Sequence, residues 1–169
     1  QLNILSFSSI LVYNYIYERP VLMNITKIVE ILKNTQTFGS FGPNILNIIA
    51  FSGEKINFST GDLLTTSDEK ISKCIVVIKG RVFIQNKDRD NIEIIEGSVI
   101  GERALLSETV IKKSIIAGSK GQALLISKDF FDGLAAQFPE IPEYFKNKIK
   151  NELNNNIHEL KEFEKTLKS

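Results

Sequence analysis

The strongest constraint on the fold is a series of short apolar runs that one helical signal interrupts, at Gly97–Leu106. Apolar residues run or alternate over a few positions before and after it, and Gly, Asn or Asp closes most of the runs. Short runs at regular spacing are typical of strands in an antiparallel sandwich or barrel. We therefore expect about eight strands between Glu54 and Ser127, with one helical turn inserted among them.

This inserted turn predicts a binding site for an anion. The first N–H groups of a helix have no partner within the helix, and they favour negative charge in front of them. Glu102 stands in the same turn. Its pattern allows two interpretations, a contact to the ligand or an acid that is favourable at a helix N-terminus without any ligand.

Composition limits the class of protein. The chain has 169 residues and 43% hydrophobic content, enough for one domain with a real core. A net charge of +1 argues against nucleic acid as a partner. The single cysteine, Cys74, cannot form an internal disulfide and is predicted to lie in the core. We expect neither an enzyme nor a metal site, because the sequence shows no nucleophile with a base and no ligand cluster around its one histidine, His158.

The ends of the chain divide it into three predicted regions. Residues 1–22 form a helical remnant of an upstream region, residues 23–140 the domain with its flanking helices, and residues 141–169 a long helix. The segment Leu2–Tyr17 lacks charge, but polar residues interrupt it, so direct membrane insertion is not expected. Two alternatives stay open for it: part of an upstream, helical-repeat or membrane-associated region, or a helix packed on this domain.

The last helix carries an apolar ridge from Ile141 to Leu167 with spacings of three and four. A helix over about Pro142–Lys168 would extend roughly 40 Å, which is longer than one small domain can cover. We expect a homodimer or an attached upstream domain to cover the rest. The alternative is a helix folded back on its own domain, with Asn154–Asn156 as a break.

The order of these features resembles the cyclic nucleotide-binding domain family over about Ile25–Phe145. The matching segments are Gly53–Ile56, Thr60–Asp62, Cys74–Val82, Gly101–Leu106, Phe130–Phe131 and Phe138–Pro139. The resemblance implies a mainly β fold, an eight-stranded antiparallel jelly roll with N-terminal helices and a long C-terminal helix. It also implies a cytoplasmic regulatory module, with tethering to a larger protein as an open alternative.

The resemblance further implies a ligand, cyclic AMP (cAMP) or cyclic GMP (cGMP), and no other cofactor. In the family, N–H groups of the short helix hold the phosphate and an Arg pairs with it. An acid accepts a hydrogen bond from the ribose 2′-hydroxyl. The N–H groups correspond to those of about Ala104 and Leu105, and the acid corresponds to Glu102. The Arg position falls on Ile111 or Lys112, so weak binding is expected. The candidate ligand-binding residues are Gly101, Glu102, Arg103, Ala104, Leu105, Lys112, Lys113 and Ser114. The alternative is a degenerate module that binds no nucleotide and associates through its last helix.

Overall fold

The computed structural model describes residues 24–85 and 90–167, with side chains as far as residue 159. The predicted remnant over residues 1–22 lies outside these residues. The chain divides into two compact units, Gln1–Phe130 and Phe131–Ser169. Each unit has its own elements and its own packing, and the candidate site belongs to the first.

The first unit begins with helix α1 over residues 24–34 and helix α2 at Pro43–Ser52. Its strands are β1 Glu54–Phe58, β2 Leu63–Thr65, β3 Glu69–Ile71, β4 Lys73–Lys79, β5 Arg81–Ile84, β6 Ile92–Ile95, β7 Val99–Ile100, β8 Thr109–Ile111, β9 Ile115–Ala117 and β10 Gly121–Ser127. The inserted turn is a 3₁₀ helix at Glu102–Leu105, between β7 and β8. The predicted jelly roll is therefore confirmed, and its strands divide into ten short segments.

These strands pair in two four-stranded antiparallel sheets and one short ribbon. The first sheet has the order β1-β10-β4-β7 and the second has the order β2-β9-β5-β6, while β3 pairs with β8. The chain changes partners at Ser72, the one residue between β3 and β4. Ser72 is one reason why the strands number more than eight, because it separates a ribbon strand from a sheet strand.

The core of the first unit lies between the two four-stranded sheets. Side chains from both sheets form it, namely Phe58, Ile75, Val77, Val82, Ile115, Ala117 and Ala123. Successive residues of a strand point to opposite faces of the sheet. Ile75 and Val77 therefore face this barrel interior, whereas Cys74, also fully buried, lies on the opposite face of β4. Strand β4 is thus buried on both faces, and the prediction that Cys74 is a core residue is confirmed.

The connection from α1 to α2 is a tight turn over residues 35–41. The Thr35 hydroxyl donates to the Leu32 carbonyl at 2.8 Å and accepts from the Phe38 N–H at 3.0 Å. Pro43 occupies the first position of α2, as its fixed φ favours. Phe38 and Phe41 are both buried, with ring centroids 6.2 Å apart. The turn is therefore capped by a hydroxyl and anchored by two rings.

The second unit contains most of helix α3, Lys128–Gln137, and all of helix α4, Glu140–Leu167. The rings of Phe131 and Phe145 meet edge to face at 5.4 Å, which packs these helices together. Helix α4 begins two residues before the predicted Pro142, since proline is accepted in the first turn of a helix. It continues through residues 154–156, so the predicted long helix is confirmed and the break that belonged to the alternative is absent. Among the described helices, none has the length and apolar character needed to cross a bilayer.

Candidate functional site

The candidate site is the 3₁₀ helix together with the loop between β8 and β9. Gly101 precedes this helix with φ of +73°, a left-handed conformation that glycine adopts without strain. Strand β7 enters the turn paired to β4, with Ile100 opposite Ile75. The strand pairing and the glycine together place the start of the 3₁₀ helix at the end of the first sheet.

The helix itself is fixed by two buried residues. Ala104 and Leu105 are fully buried, whereas Arg103 between Glu102 and Ala104 is exposed. The Ala104 N–H donates to the Gly101 carbonyl at 2.9 Å, a bond between residues three apart. The amide of Ala104, which the resemblance assigns to the phosphate, is therefore occupied in this structure. A phosphate that takes this amide must first open the turn.

The Glu102 carboxylate lies against the N-terminal part of the first unit. The buried Thr37 hydroxyl, in the turn after α1, donates a hydrogen bond to Oε2 of Glu102. Glu102 itself is half-buried. Its carboxylate thus links the 3₁₀ helix to a turn more than sixty residues earlier in the chain. Neither of the two sequence interpretations of Glu102 includes this contact.

The buried thiol of Cys74 interacts electrostatically with the same carboxylate. Burial raises the pKa of the Cys74 thiol well above its ordinary range, and the negative charge of Glu102 raises it further. A thiol that stays protonated is a poor nucleophile and a poor metal ligand. The Glu102 carboxylate is therefore close enough to Cys74 for its charge to act on the thiol.

The predicted phosphate-side residues contact the turn between β2 and β3. Nζ of Lys112 lies 3.6 Å from Oδ1 of Asp68, and both side chains are exposed. The Ser114 hydroxyl accepts the Ser67 N–H at 3.0 Å, and the Ser67 hydroxyl donates to the Lys112 carbonyl at 3.0 Å. Lys113 is exposed in the same loop. Lys112 and Ser114 are thus brought together, but each has a partner within the chain.

The family's Arg position falls on Ile111 or Lys112, and the first of these residues is apolar. Ile111 is half-buried and packs against the barrel core. Other partly buried side chains line the same core, namely Ile56, Leu64, Ile84, Ile94, Ile100 and Leu125. An apolar surface of this kind suits the face of a nucleobase, but it offers no charge to a phosphate.

Sequence reasoning missed three residues of this region, Thr37, Ser67 and Asp68. The hydroxyl residues carry no sequence signal, because Thr and Ser are common in turns and their partners are distant in sequence. Asp68 has φ of +64°, and an Asp in a short turn is a recognisable signal for that conformation. Within the described residues, no three His, Cys, Asp or Glu side chains group closely enough to hold a metal ion.

Known proteins match this domain in sequence and in fold. A family model described as "Cyclic nucleotide-binding domain" matches residues 55–138. A cyclic nucleotide-binding-like protein from Brucella abortus is 22% identical, with a TM-score of 0.58, covering 64% of this chain and 97% of that one. The N-terminal domain of a transcriptional regulator from Streptomyces coelicolor is 16% identical, with a TM-score of 0.67, covering 75% and 91%. At these identities the two structures show the fold alone.

Proposed function

The chain belongs to the cyclic nucleotide-binding domain family, and we propose that it is a regulatory module that binds cAMP or cGMP with low affinity. The observation that carries the proposal is the 3₁₀ helix, which Gly101 opens with a positive φ between β7 and β8. Ile100 before this helix and Ile111 after it both pack against the apolar core of the barrel. A cyclic nucleotide would place its base on the apolar surface and its phosphate toward the loop that contains Lys112.

Low affinity follows from the charges around the phosphate. Ile111 supplies no donor, and Lys112 supplies one charge without the two-pronged geometry of arginine. The Asp68 carboxylate neutralises part of this charge. A charge-assisted hydrogen bond typically contributes about 1.5–3 kcal/mol, so its loss lowers affinity roughly ten- to hundredfold.

Glu102 is the acid that we propose for the ribose. Its Oε2 accepts from the Thr37 hydroxyl, and a carboxylate has further lone pairs with which to accept a hydrogen bond from a ribose 2′-hydroxyl. A ligand without the 2′-hydroxyl cannot form this bond, so selection for ribose is expected.

Calorimetry with cAMP and cGMP tests this function. We expect weak binding, a several-fold loss of affinity in Glu102→Ala, and less discrimination between ribo and 2′-deoxy ligands in that variant. Glu108→Ala is the matched control, because Glu108 is an exposed acid of the following loop that pairs with exposed Lys70, at 3.9 Å. Tight binding that Glu102→Ala leaves unchanged would place the ligand elsewhere. Saturating nucleotide with neither heat nor a thermal shift would make this a non-binding module.

A second function, self-association, is favoured by one observation on α4. Ile149, Leu153 and Ile157 are 42%, 56% and 50% exposed. Residues four apart lie on the same side of a helix, so the three form an apolar row. A contiguous row of this kind is rare on monomers, because burial of each side chain would stabilise by about 1.5–3 kcal/mol. We propose that a second copy of this helix covers the row.

A further inference from the structure

The outer side of the second sheet, opposite the barrel core, carries a row of apolar side chains. Val82 and Ile115 point into the core, and successive residues of a strand alternate between faces, so Phe83 and Ile116 point outward. Ile116 is paired with Phe83 on one side and with Leu63 on the other. Three strands thus contribute one apolar residue each to a continuous row.

Strand β6 extends this row to the end of the sheet. Ile94 packs against the core, so its neighbour Ile95 points outward, diagonally across from Phe83. Leu63 and Ile95, at the two ends, are 54% and 60% exposed. Together, Leu63, Phe83, Ile95 and Ile116 form the outer apolar row.

The charged side chains beside this row offset each other. Arg81 and Glu93 point to the same side of the sheet, with Nη1 of Arg81 lying 3.4 Å from Oε1 of Glu93. Contiguous exposed apolar surface on a domain marks a site of interaction. The outer apolar row therefore suits a partner that is apolar and carries no charge.

The described chain begins beside one end of the row. Lys27 lies in the first turn of α1, and its Nζ is 3.3 Å from Oε1 of Glu96, the residue that follows Ile95. Residues 18–23 separate this helix from the uncharged segment Leu2–Tyr17, and six residues can span up to about 20 Å. The segment is therefore tethered within reach of the row.

The segment Leu2–Tyr17 matches the row in length and in chemistry. It has no charged side chain, and most of its residues are apolar or aromatic. Its sixteen residues extend about 24 Å even as a helix, whereas four strands at a spacing of about 4.8 Å measure about 14 Å from first to last. A tethered segment also acts at an effective concentration on the order of millimolar, which favours it over a separate partner.

We propose that the segment Leu2–Tyr17 docks on the outer apolar row and covers it. The segment then belongs to this domain and not to an upstream region. This inference is independent of nucleotide binding, since no residue of the row belongs to the candidate site.

Photo-crosslinking on the full chain identifies what covers the row. Ile95→Cys is labelled with a benzophenone maleimide, and the native Cys74 is fully buried and stays unlabelled. We expect cross-links to peptides from residues 2–17, in a product that runs as a monomer on a denaturing gel. Val110→Cys is the matched control, because Val110 is also exposed and apolar but lies in the β3–β8 ribbon. It should give no such cross-link.

Fluorescence tests the same contact without a cross-linker. The chain contains no Trp, so Phe7→Trp places a single reporter in the segment. We expect emission at short wavelength and protection from acrylamide, and loss of both when Leu63→Lys and Ile95→Lys add two charges to the row. Val110→Lys should leave the emission unchanged. Far-UV circular dichroism of each variant identifies a loss of docking that comes from a loss of folding.

Other occupants of the row give different results. Cross-links from Ile95→Cys to a second copy, or to no residue of the segment, would overturn the proposal. A reporter that is exposed in the protein alone and becomes protected only with phosphatidylcholine vesicles would assign the segment to a membrane, and would overturn it too. None of these results bears on nucleotide binding, which calorimetry measures separately.

Discussion

Lys112 and Asp68 join two loops that the sequence places far apart, with Nζ of Lys112 lying 3.6 Å from the Asp68 carboxylate. The ion pair is exposed, so it contributes little to stability. Backbone bonds hold the loops more firmly, since the Asp68 N–H donates to the Ile111 carbonyl at 2.6 Å. The effect of the ion pair is electrostatic, because the Asp68 carboxylate offsets part of the positive charge that Lys112 presents to a bound phosphate.

The first prediction concerns this charge. Asp68→Asn removes the carboxylate and keeps a residue that tolerates the positive φ at this position. We expect cyclic nucleotide affinity to rise about two- to fivefold at low salt, and less at high salt, because an exposed pair corresponds to about 0.2–1 kcal/mol. Calorimetry at two salt concentrations measures it. The gain should be absent in the Lys112→Ala background, and a gain that persists there would show that Lys112 is not the phosphate contact.

The second prediction is a pH dependence from Cys74. Its pKa is raised in the folded state, so the thiol keeps its proton there, whereas the unfolded thiol loses it above about pH 8.5. The stabilisation is complete below that pH and is lost as pH rises toward the folded pKa, at about 1.4 kcal/mol per pH unit. Urea unfolding between pH 7.5 and 10 should show a steeper fall for the native chain than for Cys74→Ala. A pH-independent difference between the two would contradict the buried, protonated thiol.

The third prediction tests the conformation at the start of the 3₁₀ helix. Gly101→Ala places a Cβ in a left-handed conformation and 3.0 Å from Cδ1 of Ile71. Gly97→Ala is the matched control, because Gly97 also has a positive φ but open space around it. We expect each to lower the free energy of unfolding by about 1–2 kcal/mol, with the larger loss at Gly101. Only Gly101→Ala should also weaken nucleotide binding. Equal effects of the two variants on stability and binding would show that the turn is not part of the site.

The fourth prediction concerns the apolar row on α4. Leu153→Glu with Ile157→Glu puts two charges where a partner helix would pack, and we expect it to convert a dimer to a monomer. Asn154→Glu adds a charge at an exposed polar position of the same helix, and it should leave the dimer intact. Analytical ultracentrifugation gives the masses, and far-UV circular dichroism checks that the sheets persist. A native chain that sediments as a monomer at high concentration would refute self-association.

The fold could be read from the sequence because its signals are local. The apolar run Cys74–Ile78 and the turn at Gly80, with φ of +88°, give a strand and its end directly. The change of strand partner at Ser72 could not be predicted, since no property of a single residue shows that the chain leaves the β3–β8 ribbon and enters a sheet. The long helix could be predicted as well, because its apolar ridge keeps spacings of three and four on both sides of residues 154–156.

The site was predicted less completely, because its contacts join distant segments. Gly101 and Glu102 were identified from their own turn, and the structure places them at its start. The bond between Thr37 and Glu102 depends on how the turn after α1 packs, which no pattern at either residue specifies. Ser67 meets Ser114 for the same reason, through the pairing of β3 with β8.

Strand β10 lies between β1 and β4 in the first sheet, so the last strand of the jelly roll pairs with the first. During synthesis, Glu54–Phe58 therefore leaves the ribosome long before its partner Gly121–Ser127 exists. Until then the nascent chain carries an apolar β4 with no neighbour on its β10 side, a state in which strands are prone to associate wrongly. Closure of the first sheet is thus a late event, and a chain that stops before β10 lacks the strand that joins β1 to β4.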